Sequence, residues 1–598
     1  MTGTLEHFIN LWRLPLWQTL GASLLLLTAC WGCGKMILCK AFPKEHLISF
    51  ALGCALFMTF FALLPQNKVL LFAAALPFSL WGVRELFPGV RENCFLAVFM
   101  SLLFLFFLGS ALLIPYSWDE QTYQLAVPLR WLQTKNCTPF SDNPYSFYPA
   151  FASRFFANTI LLGGIELPRI MVGAITPLLG AGVWRMTSRA GILPAGIAVV
   201  SLLLSPLLLN MNRAVYVENF IALFTMGALF AAWNLRKKVF YAALVCGILS
   251  GAALAVKPTG ILGIIPVFCL LLFTMKNGRA VVLFCGAAFL FSFFWYLRTF
   301  LYTGNFFYPY ALFPVPGSVE HFHQILGSAR YGLEGITGAL LNWLFAAFDK
   351  KLFDGIVLGF QIPLLGAAGV IGVYLYARKH PRCTLPAAAL LSAFLFSLLL
   401  WSVLFPQSRF LLFLLPFAVA GGVLTLARSP WRNIAFSLLG AVLLCTFFFH
   451  SMPFLNHFSV SWRILRSVRN APARALPHLT RDPGLFQAFE YLAKNTPSDA
   501  RCLLLMERRG LYCPRPCAIA CPGFEPSLTP IPETSEKLFE KLRSFDYIIV
   551  GNTTQDVDLQ SANAEECKKV FLYLKELSEA GKVKILSSPG YTVLQVIK

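Results

Sequence analysis

The sequence has little charge, and acidic residues are especially few. Of its 598 residues only 13% are Asp, Glu, Lys or Arg, with 28 acidic against 49 basic residues, whereas 57% are hydrophobic. Soluble domains carry about 25% charged residues and could not enclose this much apolar side chain in one core. The scarcity of charge therefore excludes a soluble globular protein and predicts a polytopic membrane protein.

Other familiar signals are also missing. Neither G-x-G-x-x-G nor G-x-x-x-x-G-K-[ST] occurs at a strand-to-helix turn, so the sequence offers no nucleotide-binding loop. No small-residue cleavage site closes the first apolar run, which is therefore expected to stay as a membrane anchor. The chain shows no strong internal repeat and no low-complexity tract.

What the chain does contain is a series of apolar runs long enough to cross about 30 Å of hydrocarbon. They predict about fourteen transmembrane helices, of which one or two are short enough to be re-entrant or interfacial. The runs lie near residues 15–36, 47–65, 68–84, 94–114, 168–187, 192–210, 218–234, 239–256, 259–275, 280–301, 356–377, 384–404, 409–427 and 433–450.

Seven short connections are rich in Lys and Arg, and they alternate strictly with the others. Because short basic loops stay in the cytoplasm, the N-terminus, the loop after the fourth run and everything after residue 450 are expected on the opposite side. This topology explains the net charge of +21 without a nucleic-acid partner. The basic connections contain Lys35, Lys40 and Lys44; Arg84 and Arg91; Arg185 and Arg189; Arg236, Lys237 and Lys238; Lys276 and Arg279; Arg378, Lys379 and Arg382; and Arg428 and Arg432.

From about residue 460 the pattern changes to alternating amphipathic helices and short strands. Helices are predicted in GLFQAFEYLAKN, SEKLFEKLRSF and AEECKKVFLYLKELSEAG, and strands in RCLLLME, DYIIVG, VKILSS and YTVLQVI. Such alternation is typical of a small α/β domain, here outside the cytoplasm. The expected division is 1–93 for extra N-terminal helices, 94–450 for the membrane catalytic domain and 451–598 for the α/β domain.

Three cysteines of this polar region, Cys513, Cys517 and Cys521, differ from the cysteines in the apolar runs, where a thiol behaves as a small hydrophobe. Their four-residue spacing fits neither a zinc knuckle nor a redox C-x-x-C. A disulfide and free thiols remain equally open.

Charged residues collect at run ends on the predicted outer side. Asp119 and Glu120 follow the fourth run beside Trp118 and Tyr123. Carboxylates can deprotonate a hydroxyl or amine or hold a metal, whereas Lys and Arg at the lipid boundary suit a phosphate. Together these groups predict a site that takes a phosphorylated lipid from the membrane and an acceptor from water. The others at run ends are Glu218, Lys257, Arg298 and Arg409.

Simpler interpretations exist for each of these residues. The Asp119–Glu120 pair could only mark a helix end, and Glu218 could only complement a helix dipole. The three basic residues could be interfacial anchors whose charged ends reach water.

The ordered segments SWDEQTYQLAVPLRW, YSFYPAF, YVENFIALF, GILSGAALAVKPTG, RTFLYTGNFFYP and SRFLLFLLP resemble bacterial integral-membrane glycosyltransferases of the GT-C superfamily. The similar group is the family 39-like one, with lipid A aminoarabinose transferases and protein O-mannosyltransferases. The resemblance covers about residues 94–450, and the C-terminal domain is similar in kind. It implies a GT-C-like fold.

In that family an acidic residue of the first outer loop is the catalytic centre. The resemblance assigns this role to Asp119, with Glu120 beside it, and makes Glu218 the later outer acid. Tyr123 and Glu218 would orient an acceptor or a metal. The family's contacts to the lipid phosphate correspond to Lys257, Arg298 and Arg409.

The chain departs from the family pattern in two places. About three extra spans precede the acidic loop, which agrees with an N-terminus on the outer side. The carboxylate that family members place shortly after the proline matching Pro149 is missing, with Ser153 and Arg154 nearby. A second acidic contact in that position is therefore not expected.

The sequence thus predicts a glycosyltransferase that moves a sugar from polyprenyl phosphate to a lipid, glycan or protein acceptor, with Asp119 as general base and inversion at the sugar. A divalent cation, Mg²⁺ or Mn²⁺, remains open. The expected location is the bacterial inner membrane, with the N-terminus and C-terminal domain in the periplasm. The alternatives are a flippase for a lipid-linked saccharide, which would need polar or broken helices at mid-membrane, and a non-catalytic scaffold or sensor.

Overall fold

The computed structural model describes most of the chain with side chains. The described residues are 13–38, 45–92, 94–275, 277–308, 332–333, 335–353, 355–379, 381–404, 406–456, 483–520, 531–551, 564–586 and 591–597.

Helices dominate the first 456 residues, because a chain in lipid must satisfy its backbone polar groups within each segment. Every predicted apolar run falls on a helix, and the runs near 168–187 and 192–210 are each divided between two. The helices are α1 (Leu16–Leu38), α2 (His46–Leu63), α3 (Lys68–Glu92), α4 (Cys94–Ala111), α5 (Ala126–Thr134), α6 (Phe151–Gly163), α7 (Leu167–Gly173), α8 (Ile175–Thr187), α9 (Ile192–Leu203), α10 (Pro206–Met211), α11 (Glu218–Asn234), α12 (Val239–Val256), α13 (Ile261–Met275), α14 (Gly278–Thr303), α15 (Gly335–Phe345), α16 (Gln361–Lys379), α17 (Pro381–Leu404), α18 (Leu415–Arg428) and α19 (Arg432–Thr446).

The protein is a multi-pass membrane protein. In the described part of the chain, six helices are long and apolar enough to cross a membrane, and five shorter apolar helices accompany them. The six are Leu16–Leu38, His46–Leu63, Leu167–Ala190, Val239–Val256, Gly278–Thr303 and Arg432–Asn456.

The N-terminal helices pack closely on one another through glycines. A Cβ atom on Gly34 of α1 would lie 1.7 Å from the backbone oxygen of Ser49 in α2, and one on Gly53 of α2 would lie 1.8 Å from that of Cys30. Small residues at such crossings let helix backbones approach, which is how membrane helices gain packing energy. Helix α1 also packs on α6 and α7, and α2 on α6 and α11, so the three extra N-terminal helices belong to the membrane bundle.

Between α4 and α6 the chain forms the acidic loop, residues 112–150. It contains a π-helical turn, Glu120–Gln124, then α5 and a 3-10 turn, Pro144–Phe147. Single π-helical turns are rare and frequent at functional sites. Asn143 caps the 3-10 turn by accepting from the Tyr145 amide, and its side-chain amide donates to the Thr122 carbonyl at 3.0 Å. The loop is therefore fixed by its own hydrogen bonds.

The C-terminal domain is the predicted α/β unit. Its helices are α20 (Pro483–Asn495), α21 (Ser535–Leu542) and α22 (Ala564–Glu579), and its strands are β1 (Cys502–Leu505), β2 (Cys517–Ala520), β3 (Tyr547–Val550), β4 (Val583–Ile585) and β5 (Thr592–Val596). The sheet has the order β2-β1-β3-β5-β4, with β1 parallel to β2 and β3 and with β5 antiparallel to β3 and β4. All three predicted helices and the four predicted strands are confirmed.

Strand β2 was not predicted. It has four residues, CAIA, and lies close to prolines on both sides, so it shows neither the length nor the alternation that identifies a strand. Cys502 of β1 is the register partner of Cys517 in β2. Cys513 and Cys517 carry no disulfide in the described part of the chain, and Cys521 lies outside the described residues.

The C-terminal domain docks on the acidic loop. The Leu511 amide donates to the Gln121 carbonyl at 3.0 Å, and the Ile519 amide donates to the Asp142 carboxylate at 3.1 Å. Apolar side chains of α20 and of the segment after β1 are continuous with the core of the membrane helices. The boundary predicted near residue 450 therefore separates two sequence patterns, while the packing across it is continuous.

Candidate active site at the acidic loop

Four charged residues from distant parts of the chain meet beside the acidic loop. Asp119 precedes the π-helical turn, Glu218 begins α11, Lys257 follows α12, and Arg409 lies in the 3-10 turn Ser408–Leu411 between α17 and α18. We call these four residues the charge cluster.

Local chemistry explains the positions of Lys257 and Arg409. Pro258 restrains the residue before it to extended backbone, and Lys257 has φ −165° and ψ 145°, so α12 ends there. The turn that carries Arg409 is tied down by Ser408, whose hydroxyl donates to the carbonyls of Phe353 and Ile356.

The charge cluster is held by short ion pairs. Arg409 Nη1 lies 2.6 Å from Asp119 Oδ2, Lys257 Nζ lies 2.9 Å from Glu218 Oε1, and Arg409 Nε lies 4.0 Å from the same Glu218 oxygen. Asp119 and Lys257 are each 8% exposed and Glu218 is 3% exposed. Two carboxylates and two cations therefore balance in a nearly dry site, where charges interact more strongly than in water.

Tyr123 supports Asp119 from the π-helical turn that follows it. Its hydroxyl donates to Asp119 Oδ2 at 3.0 Å, and its ring stacks on Tyr145 with the centroids 4.6 Å apart. Burial, and after it the charge of Asp119, raises the pKa of Tyr123 well above its ordinary value. The hydroxyl consequently stays protonated and remains a donor to the carboxylate.

Glu120 lies elsewhere and corrects one prediction. It is fully buried and forms an ion pair of 2.9 Å with Arg169 on α7. Its carboxylate accepts from the backbone amides of Tyr116, Ser117 and Val215 and from the Ser117 hydroxyl. These contacts join the acidic loop to the bundle and leave no acceptor group for a substrate, so the geometry gives Glu120 a structural role.

Arg298 also differs from its prediction as a phosphate ligand. Its guanidinium donates to the carbonyls of Cys137, Ser146 and Tyr148 and lies over the ring of Trp131. In these contacts it fastens α14 to the acidic loop, whereas Lys257 and Arg409 belong to the charge cluster.

The residues do not fit a divalent cation. Within the described residues no group of three His, Cys, Asp or Glu is placed to hold a metal. The two carboxylates of the charge cluster are each bound to a cation of the protein. We therefore derive no step through Mg²⁺ or Mn²⁺.

A large apolar cavity lies between the membrane helices. Its volume is about 950 Å³, and its wall includes Leu411 and Leu414, the first within two residues of Arg409. Its lining residues come from α8, α11 and α13 and from α16, α17 and α18, and they include Arg185 and Arg189. Its size is at the upper end of the range of about 300–1,000 Å³ for ligand pockets.

Two residues near the site were not predicted from the sequence. Tyr145 stacks on Tyr123, and Arg508 of the C-terminal domain donates to the Tyr145 hydroxyl at 3.4 Å. The one signal for Arg508 was its place directly after a predicted strand, because the carboxyl ends of parallel strands often border ligand sites.

Comparisons with known proteins agree with this architecture. No protein-family model and no curated protein sequence matches the chain. Among solved structures the chain is similar to ArnT from Cupriavidus metallidurans bound to undecaprenyl phosphate, a structure with the GT-C fold. The TM-score is 0.50 and the identity 12%, over 84% of this chain and 98% of that one. The apo state of the same protein matches with a TM-score of 0.49 and 14% identity, over 85% and 98% of the two chains. The first match confirms the predicted GT-C fold.

Proposed function

We propose that the protein is a glycosyltransferase that moves a sugar from a polyprenyl-phosphate donor to an acceptor, with the charge cluster as its active site. The observation that carries this proposal is the meeting of Asp119, Glu218, Lys257 and Arg409 in one nearly buried cluster. Leu411, two residues after Arg409, lines an apolar cavity between the helices. The ArnT structure, which shares the fold, binds undecaprenyl phosphate.

Stability alone does not account for the charge cluster. Removing charges from water costs several kcal/mol per ion, and buried ion pairs seldom return more than apolar packing would. Oε2 of Glu218 is buried and has no hydrogen-bond partner in the described part of the chain. A buried carboxylate oxygen without a partner is costly, and a sugar or acceptor hydroxyl would supply one.

Lys257 and Arg409 suit the donor phosphate. Both are cations at the end of apolar segments. The apolar cavity whose lining includes Leu411, two residues after Arg409, offers space for a prenyl chain. The leaving phosphate is weakly basic, so neutralising its charge matters more than protonating it.

We infer that donor binding and base activation are coupled through Arg409. In the structure its Nη1 contacts Asp119 at 2.6 Å, and the donor phosphate would compete for the same guanidinium. Once Arg409 turns to the phosphate, Asp119 keeps its hydrogen bond from Tyr123 and can accept a proton. The enzyme would then become active only with the donor in place.

The chemical step follows from these roles. The acceptor oxygen or nitrogen attacks the anomeric carbon and loses its proton to Asp119. The bond from that carbon to the phosphate oxygen breaks, and the phosphate leaves with the bonding electrons against Lys257 and Arg409. Attack from the face opposite the phosphate inverts the sugar. Glu218, through Oε2, orients the acceptor or the sugar.

The finer assignments rest on topology and on the family resemblance. The short basic loops favour a charge cluster and C-terminal domain on the side opposite the cytoplasm. The resemblance to bacterial enzymes favours the periplasmic side of a bacterial inner membrane. The transferred group is a hexose or pentose, and the acceptor is a lipid, glycan or protein of the cell envelope.

A flippase receives less support. A saccharide crossing the membrane needs polar groups along its path, whereas the cavity between the helices is lined mainly by Leu, Val, Ala, Gly and Phe. The charged residues in its lining are Arg185 and Arg189.

The proposal is tested with protein in vesicles, radiolabelled sugars on undecaprenyl phosphate and a cell-envelope extract as acceptor. Arg409→Ala and Lys257→Ala should each raise the donor KM or Kd by about 10- to 100-fold, the effect of losing a charged hydrogen bond. Arg236→Ala removes an exposed cation from another loop and should change nothing. No transfer from any donor, with lipid translocation intact, would favour the flippase.

A further inference from the structure

One segment of the C-terminal domain reaches the site. Residues 507–513, which we call the docking segment, leave the carboxyl end of β1 and pass against the acidic loop. Met506, directly before them, has a positive φ of 59°, an uncommon and strained conformation for a non-glycine residue. A backbone held this way needs surrounding contacts that fix it.

A buried ion pair supplies such contacts. Arg509 binds the Glu507 carboxylate with its backbone amide, Nε and Nη2, at 2.8, 2.9 and 2.7 Å. The Tyr591 hydroxyl, next to β5, donates to Glu507 Oε2 at 2.8 Å. The docking segment is thereby rigidly attached to the sheet.

The docking segment also donates two hydrogen bonds to the part of the acidic loop around Asp119. The Tyr512 hydroxyl donates to the Pro115 carbonyl at 2.8 Å, and the Leu511 amide donates to the Gln121 carbonyl at 3.0 Å. These bonds lie four residues before and two residues after Asp119. Burial, then the charge of Glu120, raises the pKa of Tyr512 well above its ordinary value, so its hydroxyl remains a donor.

A third connection runs through aromatic rings. Arg508, which is 1% exposed, donates from Nη1 to the Tyr145 hydroxyl at 3.4 Å. The Tyr145 ring stacks on Tyr123 at an interplanar angle of 19°, and the Tyr123 hydroxyl bonds Asp119. Arg508 is therefore connected to the Asp119 carboxylate through two rings, first that of Tyr145 and then that of Tyr123.

We propose that Arg508 and Tyr512 are positioning residues, through which the C-terminal domain holds Asp119 in the geometry for proton transfer. The inference rests on the proposed function, since it assigns the domain a part in the same site. Proton transfer requires the base within hydrogen-bond reach of the acceptor, and small displacements of a catalytic group cost large factors in rate.

The first test uses Tyr512→Phe, which removes one hydroxyl and keeps the packed ring. We expect kcat to fall by about 3- to 10-fold, the value of one hydrogen bond, with the donor KM unchanged. Arg508→Gln should act in the same sense, and Arg508→Lys should recover part of the loss. The matched control is Arg501→Gln, whose exposed side chain lies in the same domain. A donor KM that rises while kcat stays constant would overturn the proposal.

A double-mutant cycle separates positioning from general damage. If Arg508 acts through Tyr123, Arg508→Gln should have little further effect on kcat in a Tyr123→Phe background. Independent, multiplying losses would overturn the path through the rings.

Hydrogen exchange provides a readout that needs no transfer activity. In Tyr512→Phe the amides of residues 116–125 should exchange faster than in wild type, while those of α11 and α12 stay unchanged. Unchanged exchange in residues 116–125 would overturn the proposal. If the wild type transfers no sugar while exchange responds as expected, the proposed function fails and the positioning contact stands.

Discussion

Adjacent carboxylates in the acidic loop have opposite surroundings. Asp119 faces Arg409 and Tyr123 in the charge cluster, whereas Glu120 is enclosed by backbone amides and Arg169. The sequence indicated that a pair of acids after the fourth apolar run carried chemistry. It could not tell which acid faced the site, because this depends on the π-helical turn and on Arg169, which is 49 residues away along the chain.

Removal of the Glu120 charge should affect stability before activity. In Glu120→Gln the buried Arg169 loses its counter-ion, and breaking a buried pair costs about 3–5 kcal/mol. Thermal unfolding in detergent should register this loss, while the folded fraction keeps a kcat within a few-fold of wild type. Glu536→Gln, which breaks an exposed pair with Lys582, should leave the melting temperature unchanged. A Glu120→Gln variant that is stable but inactive would show that Glu120 has a catalytic role.

The pKa of Glu507 predicts how the stability of the protein depends on pH. Burial by itself would raise its pKa, but the charge and hydrogen bonds of Arg509, with the Tyr591 hydroxyl, leave the pKa below the ordinary value of 4.5. A lowered pKa stabilises the fold above about pH 4.5, and this contribution is lost as the pH falls through the folded-state value.

The measurement is the melting temperature of wild type and Glu507→Gln between pH 3 and pH 8. The variant should be less stable at neutral pH, and the gap between the two proteins should narrow on acidification. A gap of constant size at every pH would show that Glu507 is not the titrating group.

At the level of elements, the sequence predicted the helices well, because lipid leaves an apolar run little alternative to a helix. The contacts between helices were less accessible. Gly34 and Gly53 gave no signal beyond composition, yet the structure brings their backbones against those of Ser49 and Cys30. Arg298 was predicted at a phosphate because it lies at a helix end, and only the folded loop shows that it fastens α14.

The glycine contact in α1 can be tested within one helix. Gly34→Ala places a methyl group 1.7 Å from the Ser49 oxygen, so α1 and α2 must separate. Overpacking of this kind costs about 1–3 kcal/mol and should lower the melting temperature and the folded yield. Gly21→Ala lies in the same helix with nothing within 4 Å of the added atom. Its melting temperature and folded yield should equal those of wild type. Equal stability of the two variants would contradict this packing.

Taken whole, the molecule unites groups that are far apart in sequence. Asp119 and Arg409 are 290 residues apart, and Tyr512 reaches an acidic loop almost 400 residues before it. The sequence alone predicted one side of the membrane for a set of residues, because they lie at the ends of apolar runs opposite the short basic loops. They are Asp119, Glu218, Lys257 and Arg409. The contribution of the docking segment could not be predicted, because hydrogen bonds to backbone carbonyls such as Pro115 require no particular residue at the acceptor position.

The central claim is that Asp119 is the general base of a sugar transfer. We would measure transfer from radiolabelled polyprenyl-phosphate sugars, under single-turnover conditions, by wild type and Asp119→Asn at matched protein levels. Asparagine keeps an oxygen for the Tyr123 hydroxyl but cannot take a proton, so the rate should fall by at least about 100-fold, while donor binding survives. Full transfer by Asp119→Asn would contradict the assignment.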